Sequence, residues 1–395
     1  MNLLDLSGTL LLIAFIAYLL AILLFGGAIR HKQCDVSTSN KHWGKAAMVV
    51  TIIGFISNVL YFITRWIYAE HAPVSNMFEF ATAFGMFIVG AFLIMYWMYR
   101  LATLGIVALS IAVLLIAFAS MFPSDVTPLI PALKSYWLTI HVITTVIGEA
   151  ILAMSAVAGL VYLLKTVSFK KPSKERFWLE VVMYSLVVVI GFVVVTATFS
   201  SMHYEAKFSY IDKEQQQAEI AYNTPPLFGM HESRALTPER MQPLMDMSAS
   251  INAKKLTTVV WSFIVGTILY VLLRLFCRKP LAQVVQPLVK QTNITLMDEI
   301  GYRAVLIGFP VFTLGALVFA MIWAQEAWTR FWSWDPKEVW ALITWLFYAA
   351  FLHLRLSKGW EGKKSAWLAV IGFAIIMFNF VAVNLIIAGL HSYAE

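Results

Sequence analysis

Ten stretches of about 20 mostly apolar residues recur along this 395-residue chain, each as long as a helix must be to cross the ~30 Å hydrocarbon core of a bilayer. They lie at about 8–29, 44–68, 77–98, 102–121, 137–163, 179–200, 257–276, 304–324, 338–356 and 365–389. In lipid the backbone must satisfy its own polar groups, and a helix does so within each stretch. Only 13% of the residues are charged, about half the share of an ordinary soluble domain. The first stretch could pass for a signal peptide. However, its leading residues MNLLDLSG carry an acid and no base, and no clear cleavage site follows, so it reads as a retained helix. The expected fold is all-α: a polytopic helical membrane protein with about ten transmembrane helices.

Basic residues mark alternate connections. Arg30, Lys32, Lys41 and Lys45 flank the first, and Arg100 follows on the same side. Lys165, Lys170, Lys171, Lys174 and Arg176 come next, then Arg274, Arg278, Lys279, Lys290 and Arg303, and finally Arg355, Lys358, Lys363 and Lys364. These are 19 of the 29 Lys and Arg, and the positive-inside bias makes that side cytoplasmic. Both termini, residues 201–256 and a tryptophan-rich stretch then lie outside. The net charge of +7 follows from topology and calls for no nucleic acid.

The chain divides by pattern into 1–130 (helices one to four), 131–200 (helices five and six), 201–256, and 257–395 (helices seven to ten). The 201–256 segment is acidic in its middle and turn-rich around Asn223-Thr224-Pro225-Pro226, which fits a small folded cap or a partly disordered loop. No repeat and no nucleotide-binding glycine loop occurs, which argues against an ATP-driven pump. The two cysteines, Cys34 and Cys277, both fall on cytoplasmic connections and form no CxxC pair. Any thiols in the chemistry therefore belong to the substrate.

Six of the fourteen tryptophans fall between Trp323 and Trp345. Trp323, Trp328, Trp332 and Trp334 lead into Asp335-Pro336-Lys337-Glu338, and Trp340 and Trp345 continue into an apolar run. An interfacial aromatic belt would scatter tryptophans over both faces of many helices. Concentration in one loop beside a polar cluster favours a platform for a large flat ligand. Histidines are the second signal. His141, one turn into the fifth helix, and His391, just past the last, reach the same face as this loop. Two imidazoles on opposite sides of the platform can ligate a haem iron axially, although each also fits a snorkelling interfacial residue. His353 lies 15 residues after Glu338, about 22 Å along the ninth helix. An ionisable residue at that depth faces the bundle interior or binds something, unless it is an interfacial histidine beside Arg355 and Lys358. The remaining five histidines, His31, His42, His71, His203 and His231, fall in or near loops.

The run AWTRFWSWDPKEVWALITW, followed by FLHLR and by GLHSY, resembles the WWD signature of the CcsA/ResC family, the haem-handling subunits of System II cytochrome c maturation. PVSNMFEF at 73–80 is similar to an outer-loop motif of that family, and SYWLTIHV at 135–142 to its segment bearing the first external histidine. The resemblance implies that His141 and His391 ligate haem b at the WWD segment and that His353 is the membrane-embedded histidine. Trp328, Trp332 and Trp334 would then position the haem, while Asp335, Lys337 and Glu338 either hold the loop by hydrogen bonds at the mouth of the ninth helix, where acids favour its dipole, or contact the haem propionates (Lys337) or the apocytochrome. The family's second membrane histidine belongs to a CcsB/ResB-type membrane protein and has no match here, so the resemblance implies that partner. One departure is Thr329, where the family usually has Gly after the tryptophan.

The implied function is cytochrome c maturation in the bacterial cytoplasmic membrane. Haem is presented with its vinyl groups exposed, and the chain is part of a cytochrome c synthetase joining it to the CxxCH thiols of apocytochrome c, with thiol-reducing factors as further partners. The alternative is a haem conduit or exporter, with ligation centred on a partner. A membrane oxidoreductase with fixed b haems would need paired histidines within facing helices, and only His353 lies deep.

Overall fold

A computed structural model of the protein describes residues 2–32, 39–126, 134–211, 216–248 and 252–383. Among them, ten helical spans are long and apolar enough to cross a membrane, and each overlaps one of the ten stretches read from the sequence; residues 384–389 of the last stretch lie outside the described residues. The long helices are α1 (Leu3–Lys32), α2 (Ser39–Ala69), α3 (Met77–Tyr99), α4 (Ala102–Ala119), α5 (Tyr136–Thr166), α6 (Lys174–Ser201) and α7 (Ala253–Cys277). A short α8 (Leu281–Val285) precedes α9 (Ile294–Phe312), α10 (Ala320–Trp328), α11 (Pro336–Lys358) and α12 (Lys363–Met377). Several start where a small polar side chain takes up an orphan N–H: Asn76 for α3, Ser135 for α5, Ser173 for α6, Asn252 for α7 and Asn293 for α9.

The eighth span differs from its expected extent of 304–324. It starts at Ile294 and runs 35 residues to Trp328, because Asn293 caps it and the polar turn after the cap is still helical. Midway, Thr313–Phe319 widens into a π-helical segment that joins α9 to α10, beginning three residues after Pro310 in α9. A second π segment, Phe378–Val383, continues α12.

The chain divides into two compact units. One carries residues up to Lys171 and again from Val285, and the other runs from Pro172 to Val284. In the first unit α5 is the core helix: Val146, Leu152, Ala153, Met154, Val157 and Val161 are among its fully buried side chains. It approaches α9 and the π segment through glycines. A Cβ on Gly148 would lie 2.6 Å from the Phe312 nitrogen, and one on Gly308 3.0 Å from the Leu152 nitrogen. A Cβ on Gly315 would fall within the backbone of Thr144 and Thr145. With little hydrophobic drive between helices in lipid, such close backbone packing supplies the attraction.

At the basic end of this unit, polar side chains tie the helices together. Arg355 forms a two-pronged pair with Asp298 at 2.9 and 2.7 Å, and Asp298 also accepts from the Gly362 N–H at 3.0 Å. Thr103 and Thr292 hydroxyls meet at 2.9 Å, and Lys165 donates to the Thr292 carbonyl. At the opposite end Arg65 Nε donates to Glu79 Oε1 at 2.8 Å, with both side chains buried.

The second unit pairs α6 with α7 through Gly191 and Gly266, whose backbones leave no room for a Cβ on either. Between these helices β1 (Ala206–Ile211), β2 (Gln217–Tyr222) and β4 (Arg234–Ala235) make an antiparallel sheet in the order β2-β1-β4. β3 (Phe228–Gly229) and β5 (Met245–Asp246) pair in parallel. Ala206, Phe208 and Tyr222 form a small core under Tyr204, Ile220 and Ala235. The 201–256 segment thus contains a folded mini-sheet.

Candidate functional site

At the tryptophan-rich end of the first unit, several pieces of chain enclose one cleft. It contains about 1280 Å³ of empty space including its open mouth. The walls are residues 74–80 before and in α3, the outer third of α5, the stretch from Phe312 to Trp332 and the start of α11. Phe380 from the C-terminal π segment closes one side and stacks on Phe80 at 5.1 Å.

His141 projects from α5 into this cleft. Its Nδ1 lies 2.9 Å from the Gly315 carbonyl oxygen. A carbonyl only accepts, so Nδ1 carries the proton and the imidazole lone pair resides on Nε2. Metal-binding histidines are typically held this way, with the second ring nitrogen donating to a backbone carbonyl. The contact exists because Gly315 lacks a Cβ, which lets the π segment lie against Thr144 and Thr145. The imidazole also stacks on Trp323, with ring centroids 5.8 Å apart and planes 11° from parallel. Trp323 is buried and meets Trp328 edge-on at 4.7 Å.

The WDPKE turn is a helix start. Asp335 caps α11 by accepting from the Lys337 N–H at 3.2 Å, and Glu338 reaches back to the Asp335 N–H at 3.3 Å, a capping box. Glu338 also accepts from the Ser333 N–H at 2.7 Å and hydroxyl at 3.0 Å. The facing loop is built the same way. Asn76 caps α3 by accepting from the Glu79 N–H at 2.9 Å, while Glu79 accepts from the Ser75 N–H at 3.0 Å and hydroxyl at 2.7 Å. Arg65 then ties Glu79 to the Ser124 carbonyl. Two glutamate-anchored helix starts therefore contribute to the wall of one cleft.

The residues singled out in the sequence separate in space. His141, Trp328, Trp332 and Lys337 line the cleft. Asp335 is buried as a cap. Trp334 is 69% exposed and takes a left-handed backbone with φ of 61°, its ring against Trp332 at 5.9 Å. Trp340 and Trp345 pack on Phe378 and Phe309 instead. His353 lies exposed on α11, nine residues on from Thr344 and so half a helical turn away from the buried stripe of Thr344, Tyr348 and Phe351. His391 lies outside the described residues. Sequence reasoning passed over Glu149, which lines the cleft floor and is 6% exposed. The signal was an acid well inside an apolar helix.

Among the described residues no three His, Cys, Asp or Glu gather to hold a bare ion. One oriented imidazole stacked on an indole places a nitrogen donor beside a broad, flat apolar surface.

The chain also resembles known proteins. The family described as cytochrome C assembly protein matches residues 252–391. Over most of its length the chain is similar to proteins named cytochrome c biogenesis protein CcsA. That of Gloeothece citriformis is 31% identical, covering 83% of this chain and 81% of the relative. That of Crocosphaera subtropica is 32% identical over 83% and 82%, and that of Gloeobacter violaceus 28% over 96% and 94%. The matched region supplies the tryptophan-rich wall, and the full-length relatives extend the likeness to α3 and α5, so the chain belongs to the CcsA family of cytochrome c biogenesis proteins.

Proposed function

We propose that the cleft holds haem and presents it for thioether attachment to the CxxCH thiols of apocytochrome c, as part of a System II cytochrome c synthetase in the bacterial cytoplasmic membrane. The observation that carries this is His141, whose Nδ1 is committed to the Gly315 carbonyl at 2.9 Å beside a tryptophan-lined cleft. An imidazole so oriented offers Nε2 to an iron, and the indoles supply flat apolar area to the ring. His391 is the second axial ligand, carried over from the family resemblance. Lys337 in the wall supplies a cation to haem's carboxylates.

The attachment itself adds a thiol across a vinyl double bond. Sulfur bonds to the carbon next to the ring, the thiol's hydrogen ends on the terminal carbon, and no electrons are gained or lost overall. The protein's share is to hold the haem still and meet the thiols at its edge, which removes much of the entropic part of the barrier. The tryptophan-rich end and both termini face the extracytoplasmic side, where apocytochrome resides. His353 supports a membrane partner: an imidazole on the outward face of α11 is costly in lipid and reasonable against a CcsB/ResB-type protein.

Co-expression with that partner, purification and absorption spectroscopy test the proposal. Wild type is expected to carry haem, and His141→Ala and His391→Ala to lose it or autoxidise. His353→Ala separates a second site at the partner face. Haem-free protein in all four cases under haem-replete conditions would sink the assignment.

A further inference from the structure

Glu149 is unused by this mechanism, yet it belongs to the same cleft. It follows His141 by eight residues on α5, about 12 Å along the helix. It is 6% exposed and lines the floor, and its Oε2 has no hydrogen-bond partner among the described residues. A carboxyl in that position has given up hydration without regaining a bond, and such groups persist where a ligand supplies the partner.

The periphery of haem offers few candidates for that partner. Methyl and vinyl groups form no hydrogen bonds, whereas the two propionates do, and these sit on the ring edge opposite the vinyls. We propose that Glu149 receives a haem propionate at the floor of the cleft, so that the vinyl edge points to the mouth. This rests on the haem reading above and deepens it. Two carboxyls so close share a proton rather than both ionise, so Glu149 donates to the propionate. Lys337 in the wall balances the remaining negative charge. An axial histidine alone leaves the ring free to turn about the iron–nitrogen axis. A propionate held at the floor stops that rotation and keeps both vinyls where thiols entering from the mouth reach them.

The test uses full-length protein purified with its partner, stripped of haem and titrated with ferric haem or with its propionate dimethyl ester. Wild type is expected to bind the free acid about tenfold more tightly than the diester. Glu149→Leu should erase that preference by weakening the free acid while leaving the diester affinity unchanged, which also shows that the variant is folded. Glu149→Gln keeps hydrogen-bonding capacity and should retain part of the preference. If the Leu variant binds neither ligand, the Gln variant decides, with a reduced preference expected. An unchanged preference in the variants, or no preference in wild type, overturns the assignment of Glu149. Failure of the haem reading looks different: neither ligand binds wild type, or binding ignores His141→Ala.

Discussion

At the scale of single residues, the site depends on a few side chains that hold backbone rather than touch a ligand. Arg65 and Glu79 are the clearest case. Arg65 is 2% exposed and Glu79 fully buried, and between them they fasten the 75–79 turn and the Ser124 carbonyl. Removing one partner strands the other charge. Arg65→Met is expected to destabilise by about 3–5 kcal/mol, and the double variant Arg65→Met/Glu79→Met by markedly less. Thermal unfolding in detergent checks this, and equal losses in both would show that the ion pair is not the cause. Thr329 carries a smaller burden. It ends α10 with φ of 57°, a left-handed conformation that a β-branched residue adopts at a cost and glycine does not. The departure from the family's usual Gly thus leaves the turn itself in place. Asp335 and Glu338 were readable as acids at a helix mouth, and their positions agree with that structural job.

At the scale of elements, the decisive feature is the π segment after α9. Its Gly315 gives His141 a carbonyl to bind and gives α5 a surface to approach. A side chain there collides with the backbone of α5, so the helices must part. Gly315→Ala is expected to cost about 1–3 kcal/mol and to lower haem retention alongside His141→Ala. Gly8→Ala, at a position with open space around it, should change neither. Haem content per protein and the unfolding midpoint measure both effects, and normal haem retention in Gly315→Ala would show that the carbonyl does not orient the imidazole. Sequence periodicity located the span but not this widening. A π segment has the same composition as the helix around it, and only packing against α5 selects it.

At the scale of the whole molecule, every cleft-lining residue comes from the unit that excludes 172–284. Replacing residues 206–246 with a short flexible linker is therefore expected to leave haem absorption intact. Any loss in cytochrome c maturation would then assign the mini-sheet to a later step, such as receiving the apocytochrome. Loss of haem from the shortened protein would mean the cleft depends on that segment.

The ten spans, the alternating charge and the tryptophan concentration follow from the sequence by itself, because each is a local property: twenty apolar residues in a row have no alternative in lipid but a helix. His141, Trp328, Trp332 and Lys337 were legible for a related reason, being residue types that apolar spans do not need. The tertiary structure decided what these residues face. It brought residues 74–80 and 331–338 to the wall of one cleft, turned Trp334, Trp340 and Trp345 away from it, set His353 outward and brought Glu149 to the floor. Those outcomes depend on which helices touch and on how closely glycine lets them approach, and such contacts form between residues far apart in the chain.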